Sequence, residues 1–380
     1  MKNKMSKLIR EDSFQTLLAS LVCILGGLLV GYLVLLIIEP SGAFEAILAV
    51  MKSFLRYPGA LKLKYLGQTL ARTVPLLMCA LSVLFAYKVG MFNIGAAGQY
   101  VAGACLCLYA ALAWNMPWYV CLILGMIAGA LLGAISGLLK TMCNVNVVIS
   151  GIMLNWIVLY LTNLILGTVK SPNSPYTMSL QGTNPSALIP SMGLGRFFNN
   201  EKSVTIAIPL AVVMAVVVWV VLNKTKFGYE LKATGNNYHA AKYAGMKENR
   251  NIILTMAIAG ALAGMAAGLL FLTGIEDWET TISSVPAMGF NGIAVAFLGG
   301  LSPIGSILSA FFIQYITVGG GNVDLTVYCS QISSLISSLI IYLCAFVIFF
   351  KAFMQKQIAK ADEKKAAAAK TAETKEGGEG

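Results

Sequence analysis

Residues 224–251 read KTKFGYELKATGNNYHAAKYAGMKENRN. This polar, basic stretch interrupts a chain that is otherwise mostly apolar, and the reading of the rest depends on it. It carries Lys224, Lys226, Lys232, Lys242, Lys247 and Arg250 against Glu230 and Glu248. Asn237 suits a helix N-cap, and Gly245 suits the left-handed residue that closes a helix. The segment between them allows about two turns, roughly 10 Å, too short to cross a bilayer. A small helix lying against a membrane surface is therefore expected, on the side that basic residues prefer. Read locally, the stretch is either a solvated loop with a nascent helix or a docking element for a soluble partner.

Outward from this loop the composition is that of a membrane protein. Of 380 residues, 58% are apolar and only 11% charged, with mean hydropathy +0.77. A soluble domain carries about a quarter charged residues. The apolar runs are long and continuous rather than alternating, which excludes a β-barrel. The expected class is an all-α polytopic membrane protein. The net charge of +11 sits in loops and tail, where anionic lipid selects for it, so no nucleic-acid partner is implied. The eight cysteines form no CxxC pair and the single His239 lies apart, so neither a metal site nor a cofactor is expected. The run 15–38 is too long for the core of a signal peptide and reads as a first span.

Ten apolar segments emerge from the pattern. They are 15–38, 68–87 (with Arg72 near its start and Pro75 inside), 92–114, 117–139, 145–168, 204–222, 252–272, the short pair 286–300 and 303–319, and 331–350. Residues 1–14 form a basic arm, 43–56 an amphipathic surface helix, 169–203 a long external loop, and 351–380 a disordered tail rich in Ala, Lys and Glu. An even number of spans puts both termini on one side. Placing them in the cytoplasm puts most of the 27 Lys and Arg there, the loop 224–251 included. Gly125, Gly129, Gly133 and Gly137, and likewise Gly260, Gly264 and Gly268, recur every four residues, which lets helix backbones approach closely in lipid.

No Asp, Glu, Lys or His lies in the middle of a span, which argues against coupling to an ion gradient. The remaining polarity is neutral. Asn93, Gln99, Asn155 and Asn291, with Asn163 and Gln314, suit a neutral, hydroxyl-rich substrate, because an amide both donates and accepts. Interhelical hydrogen bonding explains the same residues equally well. Gly90-Met91-Phe92-Asn93 and Gly289-Phe290-Asn291-Gly292 open segments three and eight. Five segments separate them, so the halves carrying them have opposite orientations, the pattern of inverted repeats.

Three blocks carry a family resemblance: GMFNIGAAGQYVAG (90–103), FGYELKATGNNYHAAKYAGM (227–246) and AMGFNGIAVAFLGGLSPIG (287–305). They resemble signatures of the permease subunits of bacterial ATP-binding cassette (ABC) importers for nucleosides and simple sugars, related to the branched-chain amino acid permeases. NIGAAGQ resembles the nucleoside-type branch. The resemblance spans roughly 15–350. It implies a type II importer permease fold of about ten helices in the bacterial plasma membrane, paired with a second permease, a paralogue. It also implies a cytoplasmic ATPase docked on loop 224–251, through Gly235, Asn237, Tyr238, Ala241, Lys242, Ala244 and Gly245, and an extracellular substrate-binding lipoprotein. For that role Tyr238, Ala241 and Ala244 would share the face that enters the ATPase groove. No GxxxxGK[ST] motif occurs in the chain, so ATP hydrolysis falls to another chain and this one is no enzyme. The rivals are the same fold carrying a simple sugar, and a self-sufficient channel or secondary transporter.

Overall fold

The protein's structure, a computed structural model, describes residues 12–323 and parts of 335–360. The expected N-terminal arm and the tail over 351–380 fall largely outside the described residues, and the last span over 331–350 is described only in part.

The described chain is helical, with isolated bridges Lys170–Thr177 and Tyr176–Glu279. Helix α1 is Asp12–Ile38, α2 Ala43–Lys52, α3 Gly59–Tyr87, α4 Ala96–Leu112, α5 Trp118–Cys143 and α6 Val147–Leu166. After the long loop come α7 Ala207–Lys224, α8 Lys226–Asn236, α9 Tyr238–Tyr243, α10 Glu248–Phe271, α11 Met288–Leu298 and α12 Pro303–Gly320. Seven of these elements are long and apolar enough to cross a membrane: α1, α3, α5, α6 (with its 3-10 extension to Val169), α7, α10 and α12. Helices α4 and α11 are apolar but shorter.

Backbone contact holds the centre together. The two glycine rows meet each other. Added Cβ atoms on Gly129 and Gly133 of α5 would strike the backbone of Gly260 and Met256 on α10, and one on Gly264 of α10 would strike the Gly125 carbonyl. Gly103 of α4 enters the same crossing at Gly264. The spacing of four keeps one small-residue ridge facing the partner helix, where lipid offers no hydrophobic drive for association. The opposite side of α5 turns Ile123, Ile127, Leu131 and Ile135 outward, a face suited to lipid. Helix α3 is the most enclosed span, 89% buried along its apolar window.

The elements differ from expectation in three places. Segment three does not begin as helix at residue 92, because Met91–Gly95 is irregular and α4 starts only at Ala96. Helix α3 begins at Gly59, which places Arg72 well inside it rather than near its start. The surface helix over 43–56 is α-helical to Lys52 and 3-10 over Ser53–Arg56, and it is not free, since its Val50 carbonyl abuts Gly319 of α12 and the Tyr315 hydroxyl donates to the Met51 carbonyl.

The loop 169–203 is likewise pinned. Its Thr177 N–H donates to Trp278 O at 2.9 Å, Ile189 N–H to Leu272 O at 2.8 Å, and Asn184 Nδ2 to Ala111 O at 2.9 Å.

Candidate functional site

The loop 224–251 contains two helices where the sequence suggests one. Helix α8 is hard to see in the sequence because its composition is polar, yet it has its own start. Thr225 caps it, accepting from Gly228 N–H at 3.0 Å. Gly228, Leu231 and Thr234 form its buried side at spacings of three, and Gly228 lies directly on the backbone of Val221 and Leu222 at the end of α7. Asn251 Nδ2 donates to Thr234 Oγ1 at 2.9 Å, a buried bond that ties α8 to α10.

Asn237 then caps α9, accepting from Ala240 N–H at 3.0 Å. Gly245 ends it at φ +76°, with Gly245 N–H donating to Lys242 O and Met246 N–H to Ala241 O, each at 3.0 Å. This is the paired bond pattern of a Schellman close, and only a residue without Cβ adopts that φ freely.

One expectation for this helix fails. Ala241 does not share an outward face with Tyr238 and Ala244: it is 3% exposed and points into the protein. Tyr238 also turns back, its hydroxyl 3.1 Å from Asn249 Oδ1, and Lys242 pairs with Glu248 at 3.9 Å. A helix of six residues offers too little periodicity to fix its rotation from sequence. The outward face is His239, Ala240, Tyr243 and Ala244. Tyr243 is 93% exposed and Tyr229 of α8 64%. Nothing in the local sequence singles out either tyrosine. Each exposed tyrosine has lysines within a few residues, Lys226 and Lys232 for Tyr229 and Lys242 and Lys247 for Tyr243, a composition suited to protein contact, where Tyr is enriched and cations speed encounter.

The amides expected to line a path form a closed set instead. Asn93 Nδ2 donates to Gln99 Oε1 at 2.8 Å and lies 3.1 Å from Ser82 Oγ, while Gln99 Nε2 donates back to Asn93 Oδ1 at 3.2 Å. All three side chains are at most 1% exposed. Asn155 is also buried. Its Oδ1 accepts from Gly98 N–H at 2.7 Å and its Nδ2 donates to Ile94 O at 3.2 Å. Gly95, the residue before α4, has no side chain to cap the helix, so α6 supplies the cap from 57 residues away. In this conformation Asn93, Gln99 and Asn155 brace the broken entry to α4 and face no open path.

Asn291 behaves differently. It sits on α11, partly exposed, between Gly289, which lies against Ala97 at the start of α4, and Gly292, which lies against Cys79 of α3. The two short segments that share Phe-Asn thus meet at their N-terminal ends.

At the opposite end of α7, two adjoining cavities of about 230 and 500 Å³ lie under the long loop. Gln68, Arg72, Gln181, Glu201 and Thr273 line the smaller one. Gln68 Nε2 donates to Glu201 Oε2 at 3.1 Å. Arg72 joins this set only because α3 extends well beyond its apolar stretch.

Residues 65–349 match the family model described as branched-chain amino acid transport system / permease component. The guanosine ABC transporter permease protein NupP of Bacillus subtilis is 35% identical over 265 residues, 69% of this chain and 75% of that one. The nucleoside ABC transporter permease protein NupB of Lactococcus lactis subsp. cremoris is 30% identical over 356 residues, 91% and 95% of the two chains. The glucose ABC transporter permease protein TsgB13 of Haloferax volcanii is 28% identical over 297 residues, 76% and 78%. A second, more distant permease from each of the first two organisms also matches, at 27% and 26% identity. No solved structure matches the chain.

Proposed function

The chain belongs to the branched-chain amino acid transport system / permease component family, and from that premise we propose that it is the membrane-spanning permease subunit of an ABC importer for nucleosides. One observation carries the substrate class: two relatives at 35% and 30% identity are a guanosine permease and a nucleoside permease, and the second aligns over 91% of this chain. The glucose permease, at 28%, supports a simple sugar as the second reading.

The chain supplies the path and no ATP chemistry. A separate ATPase docks on the α8–α9 surface, with Tyr229, His239 and Tyr243 as contacts. Gly235, Asn237, Lys242 and Gly245 shape that surface, and Ala241 anchors it from behind. The second half of the path is a paralogous permease, as the paired matches within single organisms suggest. An extracellular binding lipoprotein delivers substrate to the face that holds loop 169–203, and the termini lie in the cytoplasm of a bacterial cell. Substrate passes beside the meeting point of α4 and α11, where Asn291 is the amide left accessible.

Reconstitution with the ATPase and the second permease tests this. Guanosine uptake into liposomes should require ATP on the side of loop 224–251 and should exceed glucose uptake. ATP-dependent glucose uptake without guanosine uptake would establish the sugar reading. Flux by this chain alone would overturn the proposal. Tyr243→Asp should abolish co-purification of the ATPase without loss of membrane insertion.

A further inference from the structure

Besides Gly228 against the end of α7, the docking loop meets the permease through bare backbone at Gly235, against the turn that follows α3. Gly235 is the next-to-last residue of α8. A Cβ there would lie 2.5 Å from Val89 O and 2.8 Å from Gly90 N. In the other direction, a Cβ on Gly90 would lie 2.8 Å from Gly235 O and 3.1 Å from its Cα. Gly90 is the left-handed close of α3, at φ +74°, with Gly90 N–H donating to Tyr87 O and Met91 N–H to Ala86 O, each at 3.0 Å. Two rigid helix ends therefore abut with no side chain between them.

The segment on the far side of Gly90 matters as much. Three residues later Asn93 enters the amide pair with Gln99, and Asn155 holds Ile94 and Gly98. Gly151 of α6 closes on the same segment, its Cβ position 2.9 Å from Gly95 N. The irregular stretch 91–95 is thus held by α8 at one end and by α6 and α3 along its length. Side-chain contacts absorb small movements by changing rotamer. Backbone against backbone cannot, because close-packed atoms resist compression and the peptide has few soft torsions.

We propose that the Gly90–Gly235 contact is the joint through which movement of the ATPase-docked loop reaches the Asn93–Gln99–Asn155 brace and re-sets the entry to α4. The inference rests on loop 224–251 being the docking loop. Gly235 and Gly90 are positioning residues, since they touch neither substrate nor ATP. The amide brace is the two-state element they bias, and its bonds are formed in the conformation described above.

The test uses the complete importer in liposomes, with guanosine as the probe. Gly235→Ala and Gly235→Val form a size series directed at the Val89 carbonyl. Expected is an assembled complex in which guanosine moved per ATP hydrolysed falls by about 5–150-fold across the series, the range of ordinary coupling energies, whatever the hydrolysis rate itself does. A merely structural role would lower assembly and hydrolysis together and leave the ratio intact. That result, or normal uptake by Gly235→Val, overturns the joint. Hydrogen exchange on the unaltered complex gives a second measurement that needs no variant. Amides of residues 88–98 should change protection when the ATPase is trapped with a non-hydrolysable ATP analogue, and no change overturns the proposal. Tyr243→Asp keeps the two readings apart. If it retains the ATPase and full coupling, the docking surface is wrong. If it loses the ATPase while Gly235→Val keeps it uncoupled, both stand.

Discussion

Replacing Asn155 by Leu separates the two roles an intramembrane amide can play. The side chain serves Gly98 N–H at 2.7 Å and Ile94 O at 3.2 Å, and it is 2% exposed. Leucine has the same branching at Cγ and is somewhat larger, so the change removes two hydrogen bonds and opens no cavity. Gly98 N–H is among the first N–H groups of α4, which have no partner within the helix. No water reaches it when the site is closed, and each buried group left without a partner costs about 1–3 kcal/mol. Double-mutant measurements between membrane helices give lower averages, about 0.6 kcal/mol per bond. The two bonds together therefore predict a loss of about 1–6 kcal/mol, bounded by those two scales.

The assay is denaturant unfolding of the purified permease, paired with guanosine uptake by the reconstituted importer. A brace predicts that stability falls and that uptake falls with it, through fewer intact complexes and altered coupling, while the KM of the surviving fraction is unchanged. A path residue predicts the reverse: unchanged stability and a raised KM. Unchanged stability would refute the reasoning, since a buried N–H and a part-buried carbonyl would then have lost their partners at no cost.

Three further outcomes rest on particular contacts. Gly133→Val on α5 would drive its side chain into the Met256 carbonyl of α10 and should destabilise the protein by about 1–3 kcal/mol, whereas Gly182→Ala, with nothing within 4 Å, should stay within about 0.5 kcal/mol of wild type in the same unfolding assay. Gly245→Val forces a β-branched residue to φ +76° and should loosen α9 by about 1–2 kcal/mol, seen as faster proteolysis at 238–246 and weaker ATPase binding. Burial raises the Asp277 carboxyl above its ordinary value. The folded state therefore holds that proton more tightly than the unfolded chain does, and this one group favours folding more as pH falls through the carboxylate range. Asp277→Asn should remove that increment, and identical pH–stability curves for the two proteins would count against it.

Which parts of this molecule are legible in its sequence depends on how far each signal reaches along the chain. Asn237 and Gly245 mark their helix because capping is settled within four residues. The glycine rows on α5 and α10 announce close packing because a period of four needs only one helix to be seen, although which rows meet does not show. Asn155 is the opposite case. Its cap lies 57 residues away on another helix, and a neutral amide in an apolar run looks the same whether it lines a path or closes a helix. The same limit hides the true face of α9, where Ala241 and Ala244 are alike in chemistry and differ only in that the fold buries the first and exposes the second. Arg72 is misread for a third reason: Lys62, Lys64 and Gln68 make the first half of α3 look like loop, although a helix continuing past the hydrocarbon carries such residues freely. All three errors concern partner or depth rather than element type. A path assigned from polar residues alone is therefore the weakest inference a membrane sequence permits, and Asn291 stands apart from Asn93 only because the structure leaves one amide open and pairs the other.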